Sequence, residues 1–242
     1  MKTQINCDMG ESFGIYRMGD DAALMPLISA ANVACGFHAS DYNHMCATVR
    51  LAKAHGVKVG AHPSLPDLQG FGRREMKIAR AELANCILYQ VGALKAFLDA
   101  EGMPLNHIKP HGSLYGMAAR DEEVAHAVCD AAEVFGVPLF GMINCAHERV
   151  YQERGLDFVA EYYADLEYTD SGGLIITQQH DAVDAERAAA RCVRALEDGV
   201  TESDNGIDVE VRADSICVHS DTPNAEEVAA AVRKAVGKYL DV

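Results

Sequence analysis

Seven short extended runs, each followed by a stretch of helical period, constrain this chain more than any other feature. They fall at residues 2–6, 32–37, 57–61, 105–109, 138–143, 157–160 and 215–218. Read as strands apolar on both faces, they call for a parallel sheet covered by helices. An open, doubly wound sheet would gather its polar strand ends at one crossover. Here every run ends on a polar or titratable side chain, and that spread predicts a ring. The expected fold class is α/β: a closed seven-stranded (β/α) barrel in one domain over residues 1–242, its polar strand ends at the mouth where parallel folds bind ligands.

The connecting segments agree. Asp20 and Asp21 open a short helix through Leu24, Leu27 and Ile28, and Asp41, with Ser40, caps a helix that Gly56 stops after His55. Glu75 is expected to begin a long helix whose Leu83, Ile87, Val91, Leu94 and Leu98 form one apolar face, ending at Gly102. Further helices are expected near 121–135, 147–153 and 181–199, and a last one with Thr222 capping Pro223 at its first position. Residues 162–180 have no long period and turn at Ser171-Gly172-Gly173, which reads as an irregular loop or small hairpin over the sheet. Asp204-Asn205-Gly206 marks another hairpin.

A formal charge of −15, from 21 Lys and Arg against 36 Asp and Glu, disfavours nucleic acid and anionic membrane as partners. It leaves a small anionic substrate open, because pocket charge and net charge are separate quantities. The eight cysteines show no C-x-x-C spacing and read as reduced, buried thiols, Cys35 and Cys217 among them as core. No signal-peptide run or membrane-length apolar stretch is present, so a cytoplasmic protein is expected. The pattern leaves self-association into a homo-oligomer open.

The strand ends gather Asp8, Glu11, His38, His62, Lys109, His111, Asn144, Glu161, His219 and Asp221, and in a barrel all ten would share one mouth. Any one of these histidines can be a hydrogen-bonded strand terminus; four of them together point to chemistry. Asp8, His62 and His111 have the ligand types of a divalent metal site that would acidify water for attack on an amide. The same groups can do acid–base work unaided, and no H-x-x-x-H spacing decides between the two. Lys109 would bring a cation to the same face, or sit solvated on the rim. Arg73 and Arg74 lie on a loop hinged by Gly70 and Gly72, which reads as a mobile lid able to clamp a substrate carboxylate. The chain has no phosphate-cradling G-x-x-x-x-G-K-[ST] loop.

Asn6-Cys7-Asp8-Met9-Gly10-Glu11, Ala34-Cys35-Gly36-Phe37-His38, Gly60-Ala61-His62-Pro63-Ser64, the run from Pro66 to Arg74, Lys109-Pro110-His111-Gly112 and the run from Cys217 to Asn224 together resemble the LamB/YcsF family, in order from residue 3 to about 240. The resemblance implies a TIM-barrel-like fold related to polysaccharide deacetylases. It also implies the A subunit of a 5-oxoprolinase, which opens a small-molecule lactam, 5-oxoproline, to L-glutamate with ATP and separate B and C subunits. The missing phosphate loop agrees with ATP-using machinery in those partners. On this reading Asp8, Glu11, His62, Lys109 and His111 are catalytic, while His38, Arg73, Asn144, Glu161, His219 and Asp221 bind substrate. Two departures stand out: Leu166 replaces an arginine in the family's run after the sixth strand, and Thr177 stands where a later family arginine does. A stand-alone metal-dependent deacetylase or amidohydrolase of sugar or amide substrates, and a non-catalytic partner of B and C, are the alternatives.

Overall fold

In the computed structural model, which describes residues 2–176 and 181–240, strands and helices alternate from the first turn. In chain order they are β1 (Gln4–Met9), α1 (Asp21–Leu24), β2 (Ala30–Ala34), α2 (Tyr42–His55), β3 (Lys58–His62), α3 (Arg80–Glu101) and β4 (Leu105–Ile108). Next come α4 (Gly112–Arg120), α5 (Glu122–Phe135), β5 (Leu139–Gly141), α6 (Ala146–Glu153) and β6 (Phe158–Tyr163). The remainder is β7 (Glu167–Tyr168), β8 (Leu174–Ile175), α7 (Ala185–Asp198), β9 (Val200–Glu202), β10 (Asp208–Glu210), β11 (Ser215–Val218) and α8 (Ala225–Val236). Strands β1 to β6 and β11 pair in parallel and close into a barrel, with β11 between β6 and β1. β7–β8 and β9–β10 are separate antiparallel hairpins. Among the described residues no helix is long and apolar enough to cross a membrane.

Local chemistry accounts for most boundaries. Asp41 accepts from the backbone N–H groups of Asn43 and His44 to start α2, and Gly56 ends it in the left-handed region. Asp121 and Asp184 start α5 and α7 in the same way. Leu83, Ile87, Val91, Leu94 and Leu98 are all buried along α3. Each such side chain contributes roughly 1.5–3 kcal/mol by leaving water.

The differences from expectation are local. α3 starts at Arg80 rather than Glu75: residues 75–79 alternate, with Met76 and Ile78 packed on the core and their neighbours exposed, a period of two that holds the chain extended. Helix α4 was not expected. Thr222 does not cap α8; its hydroxyl turns to Asp165 Oδ2 at 3.3 Å. β1 and β6 run past their expected ends, so Asp8 and Glu161 lie within strands.

The barrel strands are not apolar on both faces. Ile5, Cys7, Met9, Ala31, Val33, Val59, Ile108, Ile216 and Val218 belong to the apolar layer between sheet and helices. The alternate positions face the axis and are polar: Asn6, Asp8, Asn32, His62, His107, Lys109, Glu161 and Ser215, all buried. Seven strands leave a narrow interior, and these side chains fill it by hydrogen-bonding one another.

Candidate active site

At the bottom of the barrel a ladder of amides sets the positions above it. Asn6 Nδ2 donates to Ser215 Oγ at 2.7 Å, Asn32 Nδ2 donates to Asn6 Oδ1 and Asp8 Oδ1 at 2.7 Å each, and His107 Nε2 meets Asn32 Oδ1 at 2.7 Å. Gly60 makes room for His107: a methyl there would collide with the ring. Lys109 then rises to Asp8 Oδ1 at 3.1 Å, Glu161 Oε1 at 2.9 Å and Cys217 Sγ at 3.0 Å. Cys217 is buried in the core as expected, its thiol against this ammonium, and burial pushes its pKa up. Burial disfavours the Lys109 ammonium, yet Asp8, with Cys217 and Glu161 behind it, holds its pKa well above the ordinary lysine value.

Asp8 joins two halves of the site. Its Oδ2 faces His62 Nε2 at 3.3 Å and His219 Nε2 at 3.9 Å. Burial alone would raise the carboxyl, but His62 and Lys109 outweigh it and hold Asp8 well below the usual carboxylate range. Glu11 goes the other way. Burial, reinforced by the Asp8 and Asp221 carboxylates, pushes it well above that range. Two neighbouring carboxyls driven apart are the arrangement that separates a proton donor from an anion. His219 stands opposite, its Nδ1 on Asp165 Oδ1 at 2.9 Å; burial opposes its protonation and Asp165 overrides it, raising the imidazole to about 9.

The histidines above are fixed by backbone carbonyls. His62 Nδ1 lies 2.8 Å from Lys109 O and His111 Nε2 lies 2.8 Å from Phe71 O, which assigns each of those nitrogens the proton. His62 Nε2, also 3.3 Å from Asp8 Oδ2, lies 3.0 Å from His111 Nδ1. Two ring nitrogens so placed attract only through a proton or a cation shared between them. His38 stacks on His111 with ring centroids 3.8 Å apart and meets Glu11 Oε1 through Nε2 at 3.1 Å. Burial pushes His38 and His111 down, so both are neutral imidazoles.

One donor atom from each of Glu11, His38, His62 and His111 lies within 4.8 Å of the others, and three imidazoles with one carboxylate suit a divalent ion such as zinc. This is not the expected set, since Glu11 and His38 stand where Asp8 was placed. A second group, Asp8, Cys217 and His219, already holds the Lys109 ammonium against two of its members, which leaves a metal ion no favourable place.

The loop between β3 and α3 is pinned over these rings, where its two glycines had suggested a mobile lid. Arg74 pairs with Asp67, Gly70 N donates to Asp67 Oδ1 at 2.9 Å, and Ser113 N donates to Gly72 O at 2.9 Å. Gln90 of α3 clasps the loop's start, accepting from Ser64 N and donating to Ser64 O. Arg73 points inward onto Asp221 Oδ2 at 2.7 Å. Asn144 is the expected site residue that does not join: at φ +59° its backbone turns outward, and its amide donates to Glu210 on another face. Leu166 is buried on the cavity wall, and Thr177 lies outside the described residues. Asn32, His107, Asp165, Tyr115 and Tyr163 belong to the site without having been singled out. An asparagine inside Ala30-Ala31-Asn32-Val33-Ala34 was the available signal for the first of them.

The inner cavity bounded by Asp8, His62, Lys109, His111, Tyr163 and His219 measures about 30 Å³, room for about one water. It opens beside a larger one of about 380 Å³.

Comparison with known proteins agrees over the whole length. The sequence model of the LamB/YcsF family matches residues 3–239. The 5-oxoprolinase A subunit of a Thermus thermophilus strain is 47% identical over 240 residues, covering 98% of this chain and 96% of that one. The lactam utilization protein lamB of Emericella nidulans is 46% identical over 242 residues, covering 98% and 95%. The crystal structure of a lactam utilization protein from Thermus thermophilus superposes with a TM-score of 0.92 at 45% identity, covering 100% and 99%.

Proposed function

The chain belongs to the LamB/YcsF family, and from that premise we propose that it is the lactam-opening subunit of an ATP-dependent 5-oxoprolinase, converting 5-oxoproline to L-glutamate with separate B and C subunits. The relatives' designation as the A subunit speaks for companion subunits, and the lack of a phosphate-cradling loop in this chain supports assigning ATP use to them. The observation that carries the reading is the opposed pair of carboxyls: Asp8 held low by His62 and Lys109, Glu11 pushed up by burial, with Asp8 on His62 and Glu11 on His38 and His111.

Ring opening adds one water across the C–N bond. The water oxygen joins the carbonyl carbon, and the nitrogen leaves with a proton. Phosphorylation of the carbonyl oxygen by the partner machinery, with ADP leaving, makes that carbon electrophilic; once the C–N bond breaks, the acyl phosphate left behind is hydrolysed by a second water to the carboxylate and inorganic phosphate. His62 takes the water proton at Nε2, and the Asp8 carboxylate, 3.3 Å away, stabilises the imidazolium that results. Glu11 donates to the leaving nitrogen. Lys109 faces the phosphoryl-bearing oxygen as charge develops there, the ammonium already desolvated and held by Asp8 and Glu161, and the neutral His111 ring packs beside it. Arg73, steadied by Asp221, receives the substrate carboxylate, and His38, Glu161 and His219 complete the walls. A divalent ion, where bound, would be held by Glu11, His38, His62 and His111 and would supply Lewis-acid polarisation.

Mixing this chain with purified B and C subunits, ATP and 5-oxoproline is expected to release glutamate, and His62→Ala in this chain to abolish it. No glutamate from the complete mixture would sink the reading, and undiminished turnover in the His62 variant would make the chain a non-catalytic partner. The donor cluster favours one further reading, a stand-alone metal-dependent amidohydrolase. Elemental analysis finding no stoichiometric metal, with no activation by zinc, manganese or cobalt, removes it.

A further inference from the structure

We propose that small carboxylate-bearing lactams reach the buried site by a passage along α4 whose bore is set by Gly116. The proposal rests on the lactam reading for its ligand but on separate observations for its existence. The inner cavity lies against His62, His111 and His219, and four of its lining residues, Arg73, Tyr115, Leu174 and Ile176, also line the 380 Å³ cavity outside it. A cavity of that size accommodates a small molecule. The wall common to both is one face of α4. Its N-terminal end, Gly112, borders the inner cavity, while Gly116 and Arg120 border the outer one. At 1.5 Å per residue the helix spans roughly 12–14 Å from reaction centre to surface.

Gly116 is the residue that needs explaining. A glycine in mid-helix costs about 1 kcal/mol relative to alanine. Elsewhere at the site glycine is forced: Gly72 and Gly112 have left-handed φ, and a methyl on Gly112 would lie 2.8 Å from Gly72 O. Gly116 has neither excuse. Its φ is ordinary, and among the described residues a methyl there would meet Arg120 Nη1 at 3.5 Å and Ile176 Cδ1 at 3.9 Å, both ordinary contacts. Neither backbone nor packing calls for a missing side chain; the open cavity does. Tyr115, one residue earlier, supplies an independent sign of a ligand. It is 3% exposed, and its hydroxyl lies beside Tyr163 but completes no hydrogen bond of good geometry, although it borders both cavities. A polar ligand passing through would satisfy it.

The ligand class follows from the two ends. Arg120, paired with Glu75, stands at the outer opening, and Arg73, paired with Asp221, stands at the inner one. At each end a small carboxylate can take the place of Glu75 or Asp221 on a guanidinium, a paired exchange that a chain of charge −15 offers at these two points. The hairpin residues Leu174 and Ile176 oppose α4 with apolar surface suited to a ring's methylene edge.

Two readouts test this. In the reconstituted complex, Gly116→Leu and Gly116→Trp are expected to lower kcat/KM for 5-oxoproline by about tenfold and over about 100-fold, in order of volume, while thermal stability holds or rises. On the chain alone, diethyl pyrocarbonate, a reagent of similar bulk, should modify His111 at least about tenfold more slowly in Gly116→Trp, with exposed His55 as the internal standard. A folded Gly116→Trp protein whose His111 reacts at the wild-type rate overturns the passage. So does a wild-type protein in which His55 reacts and His111 does not. A wild-type complex that releases no glutamate, with His111 still shielded by Gly116→Trp, instead sinks the lactam reading and leaves the passage standing.

Discussion

Residues 5, 7 and 9 of β1 face the helices and are Ile, Cys and Met; residues 6 and 8, one step away, face the barrel axis and are Asn and Asp. Both faces are buried, but they are held by different physics. The outer layer is held by contact area and volume, in which no atom needs a particular partner. The axial layer is a closed set of donors and acceptors: Asn6, Asp8, Asn32, His107, Lys109, Glu161 and Ser215 each satisfy a neighbour. Damage to the first should therefore cost stability in proportion to volume and leave the chemistry alone. Damage to the second should strand charges and take activity with it.

The largest expected effect tests the axial layer. Lys109→Met leaves Asp8 and Glu161 facing each other's charge in a buried site, and breaking such a pair costs about 3–5 kcal/mol. Urea unfolding should show that loss, and turnover per folded molecule should fall at least about 1,000-fold if the ammonium stabilises the developing oxyanion. Leu94→Ala in the outer layer should cost about 2–5 kcal/mol by the same measurement, with kcat per folded molecule kept. Equal loss of activity in both variants would erase the distinction.

The pH dependence sharpens it. The folded pKa of His219 is raised to about 9 from 6.5, so the protonated form binds its proton more tightly in the folded chain. Its contribution, on the order of 3 kcal/mol, is complete below about pH 6.5 and is lost as pH rises through about 9. Asp8, held below 3.8, contributes the opposite way: its share is present above about pH 4 and is lost as pH falls through the folded value. Denaturation midpoints measured across this range should fall at both ends, and Asp165→Asn should flatten the alkaline limb alone. The smallest effect belongs to the outer layer. Ile87→Val should cost about 1 kcal/mol and leave the pH profile unchanged.

Much of the convergence was legible. In a parallel barrel all strand ends share one mouth, so Asp8, His62, Lys109 and His219 could be placed together from the order of elements alone. What escaped was whatever depends on which face of a short strand turns inward. Asn32 and His107 lie in runs of five and four residues with no long alternation to orient them, and Asp165 acts through a loop that no period marks. Asn144 shows the converse: it was expected to end the fifth strand, but β5 stops at Gly141 and a left-handed backbone directs the Asn144 amide to Glu210. The short α4 opens on His111 with no side-chain cap, so no start signal announced it, and with it went the wall that carries Gly116.

The amino-acid sequence by itself determined the alternation of strand and helix, the closed ring, and the titratable side chains at its mouth, because hydrophobic period, caps and glycine stops are local and act within one turn or one strand. Tertiary structure alone decided the opposite titration of Asp8 and Glu11, the proton positions on His62 and His111, and the narrow passage beside Gly116. Those depend on fields and spaces made by residues tens to hundreds of positions apart, and they come into being only when the barrel closes.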